Sequence, residues 1–340
     1  MRRTAASLLL LSAITTAAAD EERPAYHSTM PVIGILSYPS HGLGEDCRGL
    51  DCPPADWATT ASPTASSIQA AYARWVEQGG ARVAAVLYNS TDAELEEAFA
   101  SMNGFVFTGG PAKPADAPVY LRAASRIFDM VSRAHREKGE VVPLWGTCLG
   151  IQTIGTIAAG SGSVVREFPL ENYAYPLDFT PAANSSRLFS PLTENGHGRH
   201  ILHSLATQNL TTNWHSYGIS PDTKFLPGRE MVTLTTNRAL NGKTFTSSLE
   251  GANGLPVYGV QFHPESNQFD GDSGNGVPDR SLAGVEAGDR GPLCDFAGSA
   301  GVRFSRQRWP VRSQLPRDLL RRAGAQREQP LLREQGRGAR

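Results

Sequence analysis

The apolar positions of the chain follow two alternating periods, one typical of buried strands and the other of amphipathic helices. Continuous apolar runs predict strands, and apolar residues three or four positions apart predict helices. Because the two patterns alternate through the first half of the chain, we expect an α/β fold with a mostly parallel sheet sandwiched by helices. The predicted strands begin at residues 31, 81, 104 and 141, and further strand-like runs lie at 231–236, 243–250 and 256–263.

Start and stop signals support the helices. The first helix, predicted from about Ser66, has apolar residues at helical spacing and ends at a glycine pair. Thr91 and Glu94 form a capping-box pattern at the start of a second helix. Gly139 is the expected stop of a long third helix. Between residues 163 and 222 the pattern is too irregular to predict elements.

A lone cysteine stands where a predicted strand turns into a helix. Cys148 has Gly146 before it and Gly150 after it. At such a turn the side chain is lifted clear of the sheet, and the helix N-terminus directs its amides and positive dipole end at the thiol. This arrangement favours a thiolate and can hold an oxyanion, so it indicates a nucleophile. Taken alone, the motif is equally compatible with a buried, inert cysteine.

A histidine and a glutamate follow another predicted strand. His263 ends the run at 256–263, and Glu265 comes two residues later, after Pro264. Extended backbone places residues i and i+2 on the same side, so the carboxylate can orient the imidazole. His-Pro-Glu is often only a surface turn. Parallel sheets, however, bind ligands beyond the carboxyl ends of their strands, where Cys148 is also expected.

Composition narrows the classes of function. The 340 residues are 40% hydrophobic with a net charge of −1, which permits a large core and gives no sign of a nucleic-acid partner. The spacing of the four cysteines matches no zinc pattern. Cys47 and Cys52 could pair as a local disulfide or remain free thiols.

The N-terminus has the form of a secretory signal peptide. Two arginines precede an apolar run from Ala5 to about Ile14, and an A-x-A site ends at Ala19. The run is shorter than the roughly 20 residues of a membrane span, so we expect residues 1–19 to be cleaved and the rest to leave the membrane. The destination would be extracellular, lysosomal or vacuolar. Glycosylation sequons that agree with this route begin at Asn89, Asn184 and Asn209.

The chain resembles the gamma-glutamyl hydrolase family of the class I glutamine amidotransferase-like superfamily. The motifs G-T-C-L-G and H-P-E mark the superfamily, while F-T-G-G, N-W-H-S-Y-G-I-S and the signal peptide favour the hydrolase branch. The resemblance implies a flavodoxin-like catalytic domain over residues 30–270. It also implies hydrolysis of the γ-glutamyl bonds of folate polyglutamates through a thioester, with no metal or cofactor. The substrate would be a small molecule, and a homodimer is left open.

The resemblance assigns a role to each member of the proposed triad. Cys148 would be the nucleophile, His263 the general base and then the general acid, and Glu265 the residue that orients His263. The oxyanion would be bound by the amide of Gly109 or Gly110.

Three more residues receive roles from the resemblance. The amide of Leu149 would complete the oxyanion site. Gln152 differs from the residue usual at its position, but it could still bind the glutamate moiety as a neutral hydrogen-bonding group. His215 matches a histidine near the family's active site and would contact substrate. Judged by its neighbours alone, His215 would be a structural histidine.

The sequence departs from the family pattern in three places. Gln152 stands where animal members typically have glutamate, and Ser66 and Ser67 stand where tyrosines are usual. Residues 271–340 form an Arg-rich tail that resembles no part of the family, and we expect it to be weakly ordered. This tail would be a lineage-specific extension or an error in the gene model. Hydrolysis of other γ-glutamyl amides, a glutaminase-type role and an inactive homologue are the alternatives.

Overall fold

The computed structural model describes residues 30–39, 66–111 and 113–266. The predicted signal peptide, Cys47, Cys52 and the Arg-rich tail lie outside these residues. The helices are α1 (Ala70–Gln78), α2 (Asp92–Ser101), α3 (Pro118–Lys138), α4 (Leu149–Ala159) and α5 (Gly196–Thr207). The strands are β1 (Val32–Leu36), β2 (Tyr38–Pro39), β3 (Ser66–Ser67), β4 (Arg82–Val86), β5 (Gly104–Phe107), β6 (Leu144–Thr147), β7 (Val165–Tyr175), β8 (Asp178–Phe179), β9 (Thr211–Ile219), β10 (Met231–Arg238), β11 (Thr244–Gly251) and β12 (Val257–Val260).

The main sheet has eight strands in the order β4-β1-β5-β6-β12-β11-β10-β8. The first five strands in this order, β4, β1, β5, β6 and β12, are parallel to one another. The last three, β11, β10 and β8, continue the sheet in antiparallel fashion. This confirms the predicted fold class, an α/β domain whose sheet is mostly parallel.

Helices cover both faces of the sheet, because its central strands are apolar on both sides. Ile33 and Ile35 of β1 point into the layer formed with α1 and α5, whereas Val32 and Leu36 point into the layer formed with α2, α3 and α4. Between α1 and β6, the Trp75 and Trp145 rings lie 5.4 Å apart.

Most of the predicted helix signals are confirmed. Thr91 and Glu94 make both hydrogen bonds of the capping box, and Gly139 ends α3 in a left-handed conformation with φ 63°. The prediction that the first helix begins near Ser66 was wrong. Ser66 and Ser67 form β3, which pairs with β2, and α1 begins at Ala70.

The irregular stretch contains α5 and a separate antiparallel ribbon made of β7 and β9. Its sequence hides these elements because the buried positions of β9 are largely polar. Thr211, Thr212 and Asn213 are all buried there. In β7, Pro169 lies between the two buried apolar residues Phe168 and Leu170.

The strand order brings the candidate motifs together. β5, β6 and β12 are adjacent parallel strands, so the segments that follow them emerge at one edge. These segments contain Gly109, Cys148 and His263 respectively.

Candidate active site

Cys148 occupies a strained turn between β6 and α4. Its backbone has φ 51° and ψ −104°, a conformation that residues with a Cβ atom rarely adopt. Its amide donates to the Val260 carbonyl at 2.9 Å, and its carbonyl accepts from the Gln152 amide at 3.2 Å. The turn therefore fixes the thiol at the N-terminus of α4, as the sequence predicted.

The two glycines beside the cysteine are required by close backbone contacts. A Cβ atom on Gly146 would lie 2.5 Å from the carbonyl carbon of Gly150. A Cβ atom on Gly150 would lie 2.2 Å from the Phe107 carbonyl oxygen. Both glycines thus allow α4 to start directly against the ends of β5 and β6.

His263 and Glu265 are paired, as the spacing predicted. His263 Nδ1 lies 2.7 Å from Glu265 Oε1, and both residues are buried. The His263 amide donates to the Thr212 carbonyl at 2.9 Å, and the Trp214 ring lies 5.4 Å from the imidazole. Strand β9 therefore holds the backbone of His263, while Glu265, in the same loop after β12, holds its ring.

The site is electrostatically arranged to keep His263 charged. Burial alone would lower the pKa of His263, but the negative charges of Glu265 and Cys148 outweigh it and raise that pKa well above its usual value. The second ring nitrogen, Nε2, is buried and makes no hydrogen bond of ordinary geometry among the described residues, while a looser hydrogen-bonding contact with Cys148 adds to the raised pKa. Cys148 Sγ lies 3.9 Å from the carbonyl oxygen of Trp214.

Gly109 lies next to both reactive side chains. A Cβ atom on it would be 2.9 Å from His263 Cε1 and 3.5 Å from Cys148 Cβ. The Gly109 amide already donates to the Tyr72 hydroxyl at 2.8 Å. Gly110 packs against Leu149, whose Cδ2 would be 2.9 Å from a Cβ atom on that glycine.

Gln152 is buried one helical turn after the cysteine. Its Nε2 donates to the Tyr217 carbonyl at 2.7 Å and lies 3.4 Å from Gln261 Oε1. The side chain of the same Tyr217 has a cation over it, because Lys113 Nζ lies 4.1 Å from the centre of its ring.

His215 lies on β9, buried against Phe245 with the rings 4.9 Å apart. Burial and the neighbouring His263 lower the pKa of His215 to about 3, so it is neutral. Hydrogen bonding to the backbone of Phe168 and Tyr217 opposes this lowering without reversing it. Its packing favours a structural role, and the predicted substrate contact stays a prediction.

Two residues near the site were not singled out from the sequence. Tyr72 has the helical spacing of a core residue, and its buried hydroxyl gave no signal. Lys113 follows the F-T-G-G turn on a loop, where a single lysine is unremarkable in sequence. The candidate sequon residues Asn89, Asn184 and Asn209 are all exposed.

Two general properties concern only the described ranges, 30–39, 66–111 and 113–266. Within them, no helix combines the length and apolar character that crossing a membrane requires. The same residues include no group of three or more His, Cys, Asp or Glu side chains placed to hold a metal ion.

Known proteins are similar to a large part of this chain. Residues 64–274 match the family model described as Glutamine amidotransferase class-I. Gamma-glutamyl hydrolase of Mus musculus is 35% identical over 254 residues, which are 73% of this chain and 71% of that protein. Gamma-glutamyl hydrolase B of Dictyostelium discoideum is 34% identical over 205 residues, 59% of this chain and 57% of that protein.

A plant protein matches this chain at a similar level of identity. Gamma-glutamyl hydrolase 1 of Arabidopsis thaliana is 32% identical over 245 residues, 71% of this chain and 64% of that protein. The chain thus spans less than two thirds of the Dictyostelium and Arabidopsis proteins. A solved glutaminase domain of Trypanosoma brucei CTPS aligns with 84% of this chain and 98% of its own, with a TM-score of 0.46 and 11% identity.

Proposed function

Because the chain belongs to the gamma-glutamyl hydrolases of the class-I glutamine amidotransferase family, we propose that it cleaves γ-glutamyl bonds of folate polyglutamates. One observation carries this proposal: a cysteine on a strained strand-to-helix turn shares its edge of the sheet with a buried His263–Glu265 pair 2.7 Å apart. A nucleophile, a base and a group that orients the base are what acyl transfer requires.

The reaction begins with the proton of Cys148 held by His263. The thiolate attacks the γ-carbonyl carbon and forms a tetrahedral oxyanion. The imidazolium of His263 then gives its proton to the leaving amine, and the carbon–nitrogen bond breaks to leave a thioester. Water attacks the thioester while His263 takes up its proton, the carbon–sulfur bond breaks, and the acid product leaves with the thiolate and imidazolium restored. Throughout, Glu265 orients the imidazole and balances its charge.

The oxyanion site follows from how the amides are used. The Gly109 amide is engaged by Tyr72, which favours Gly110 as the first donor. The amide of Leu149, at the N-terminus of α4, is the second donor. Both groups are backbone amides, so the site is organised before substrate arrives.

An anionic substrate fits the surroundings of Gln152. The amide of Gln152 is neutral and held by the Tyr217 carbonyl, and Lys113 places a positive charge over the Tyr217 ring. We propose that these groups face the carboxylates of a glutamate chain, which a lysine attracts as a point charge.

The route through the secretory pathway is part of the proposal. The signal-peptide pattern and three exposed sequon asparagines support a secreted, lysosomal or vacuolar enzyme.

Mass spectrometry of pteroyl-pentaglutamate digests tests the substrate and reports the cleavage position. We expect release of glutamate or short glutamate chains by the wild type and none by Cys148→Ala. Glutamine and small γ-glutamyl amines form a second panel. Turnover of that panel without turnover of the pentaglutamate would replace the folate assignment, and no turnover of either by folded protein would indicate an inactive homologue.

A further inference from the structure

The hydroxyl of Tyr72 lies at the centre of the site without belonging to the proposed triad. Tyr72 comes from α1 and is fully buried. Its hydroxyl accepts a 2.8 Å hydrogen bond from the Gly109 amide. Since a Cβ atom on Gly109 would almost touch His263 Cε1, this hydroxyl is in the same small volume as the catalytic pair.

Hydrogen-bond accounting shows what the hydroxyl can still do. A tyrosine hydroxyl has one proton to donate, and the Gly109 contact uses only its acceptor capacity. Glu265 is fully buried; Oε1 faces His263, while Oε2 has no close hydrogen-bond partner among the described residues. An ionised carboxylate oxygen in such a position needs a donor.

The electrostatics agree that the two groups are neighbours. Burial raises the pKa of Tyr72 well above its usual value, and the charges of Glu265 and Cys148 raise it further. Tyr72 is therefore a protonated donor at neutral pH.

We propose that Tyr72 is a positioning residue that donates its hydroxyl proton to the Glu265 carboxylate while it holds the Gly109 amide. One hydroxyl then fixes both the plane of the carboxylate that orients His263 and the glycine turn that precedes the oxyanion donor Gly110. This inference rests on the proposed triad.

Tyr72→Phe tests the role, because it removes the hydroxyl and keeps the ring. The Glu265 carboxylate loses a donor that fixes its position, so it supports the positive charge of His263 less well. We expect kcat to fall about ten- to hundredfold with KM little changed. The alkaline limb of the pH–rate profile, on which the His263 imidazolium loses its proton, should move to lower pH, which a change in packing alone would not produce.

Tyr120→Phe is the matched control. Tyr120 is also buried, and its hydroxyl lies 3.4 Å from Thr153 Oγ1 on α4, in the helical layer on the other face of the sheet. We expect this variant to keep the wild-type kcat and pH profile. An equal loss in both variants, or an unchanged kcat in folded Tyr72→Phe, would overturn the proposal.

Alkylation by iodoacetamide, read peptide by peptide, separates this inference from the proposed function. In the wild type, Cys148 should be alkylated faster than in denatured protein, because His263 holds its proton, and Tyr72→Phe should reduce that advantage. If wild-type Cys148 reacts no faster than in denatured protein, the triad fails and the role of Tyr72 with it. If the wild type reacts as expected and the variant matches it, only the role of Tyr72 is refuted.

Discussion

Cys148 carries two properties in one residue, a reactive thiol and a backbone that disfavours any side chain. With φ 51° and ψ −104°, it lies in a region that glycine adopts readily and that costs other residues on the order of 1–3 kcal/mol. The strain places the thiol over the N-terminus of α4. Stability is therefore given up at the position where the reaction needs its nucleophile.

Two substitutions of Cys148 separate strain from chemistry. Both Cys148→Ala and Cys148→Gly should lower turnover by about 10⁴-fold or more. Because alanine keeps the Cβ atom and glycine removes it, Cys148→Gly should be more stable than Cys148→Ala by about 1 kcal/mol in urea unfolding. A glycine variant that is less stable than the alanine variant would show that the turn is not strained.

The base and the nucleophile should behave as one unit. His263→Ala should cost about as much as Cys148→Ala, roughly 10⁴-fold or more, and the double variant should be no slower than either. Glu265→Gln should lower turnover less, because Glu265 only orients His263 and glutamine keeps one acceptor atom for that purpose. Steady-state rates of the four variants decide this, and a double variant far slower than each single variant would contradict a shared step.

Gln152→Glu should make stability depend on pH. A buried carboxylate at this position would face the Tyr217 carbonyl and Gln261 Oε1, two acceptors, in place of the present donor contacts. We expect its folded-state pKa to be raised above the ordinary value of about 4.3, so the protonated form is favoured in the folded protein. The destabilisation relative to wild type should grow as pH rises above about 4.3.

Thermal unfolding between pH 4 and pH 7 measures this effect. Gln152→Met is the control, because it loses the same hydrogen bond without adding a charge. Its deficit should be about 1–3 kcal/mol and independent of pH. A Gln152→Glu deficit that is flat across this range would mean that the carboxylate has found a donor or solvent.

Among the elements, those with apolar periodicity could be predicted from sequence and those with polar interiors could not. The strands of the parallel sheet and α3 bury continuous or periodic apolar residues, so their patterns are unambiguous. Helix α5 buries few apolar side chains, mainly Ile201 and Leu205, and begins at a glycine capped by the Asn195 side chain. Only the surrounding fold makes such a segment helical.

Two glycines of α4 provide a test of how tightly this helix packs. In Gly150→Ala the new Cβ atom would lie 2.2 Å from the Phe107 carbonyl oxygen, so the backbone must move. In Gly155→Ala the nearest atom, also at 2.2 Å, is Cδ1 of Ile219, the end of a flexible side chain. The same substitution therefore meets rigid backbone in one case and a movable methyl group in the other.

We expect Gly150→Ala to cost about 3 kcal/mol or more and to abolish activity, because α4 carries the nucleophile and an oxyanion donor. Gly155→Ala should cost less than about 1 kcal/mol, since alanine also favours the helix by about that amount. Urea unfolding and steady-state rates of both variants check this. Equal effects at the two positions would show that α4 can shift as a whole.

For the whole molecule, the strand order explains which parts of the site could be predicted. Cys148 and His263 follow strands, and parallel strands end at a common edge, so their proximity could be expected. Tyr72 reaches the site from a helix with its ring in the core, and its spacing is the same as that of any packed tyrosine. Its partners are far apart in sequence, and only the three-dimensional structure brings them together.

The secretory route makes a prediction for the intact protein. Asn89, Asn184 and Asn209 are exposed, so each sequon is accessible to the glycosylation machinery. Expressed in secreting eukaryotic cells, the chain should lose the mass of three glycans on enzymatic deglycosylation. Each Asn→Gln variant should reduce that loss by one glycan. Material secreted without any mass loss would argue against these sites.

The ribbon of β7 and β9 lies against a nucleophile that belongs to the main sheet. Strand β9 touches the chemistry through the Trp214 carbonyl near the thiol and the Thr212 carbonyl that holds the His263 amide. The reacting side chains thus follow strands of the main sheet, and part of their support comes from the ribbon. A change that moves β9 therefore also moves the support of the imidazole and of the thiol, so the two sheets must evolve together.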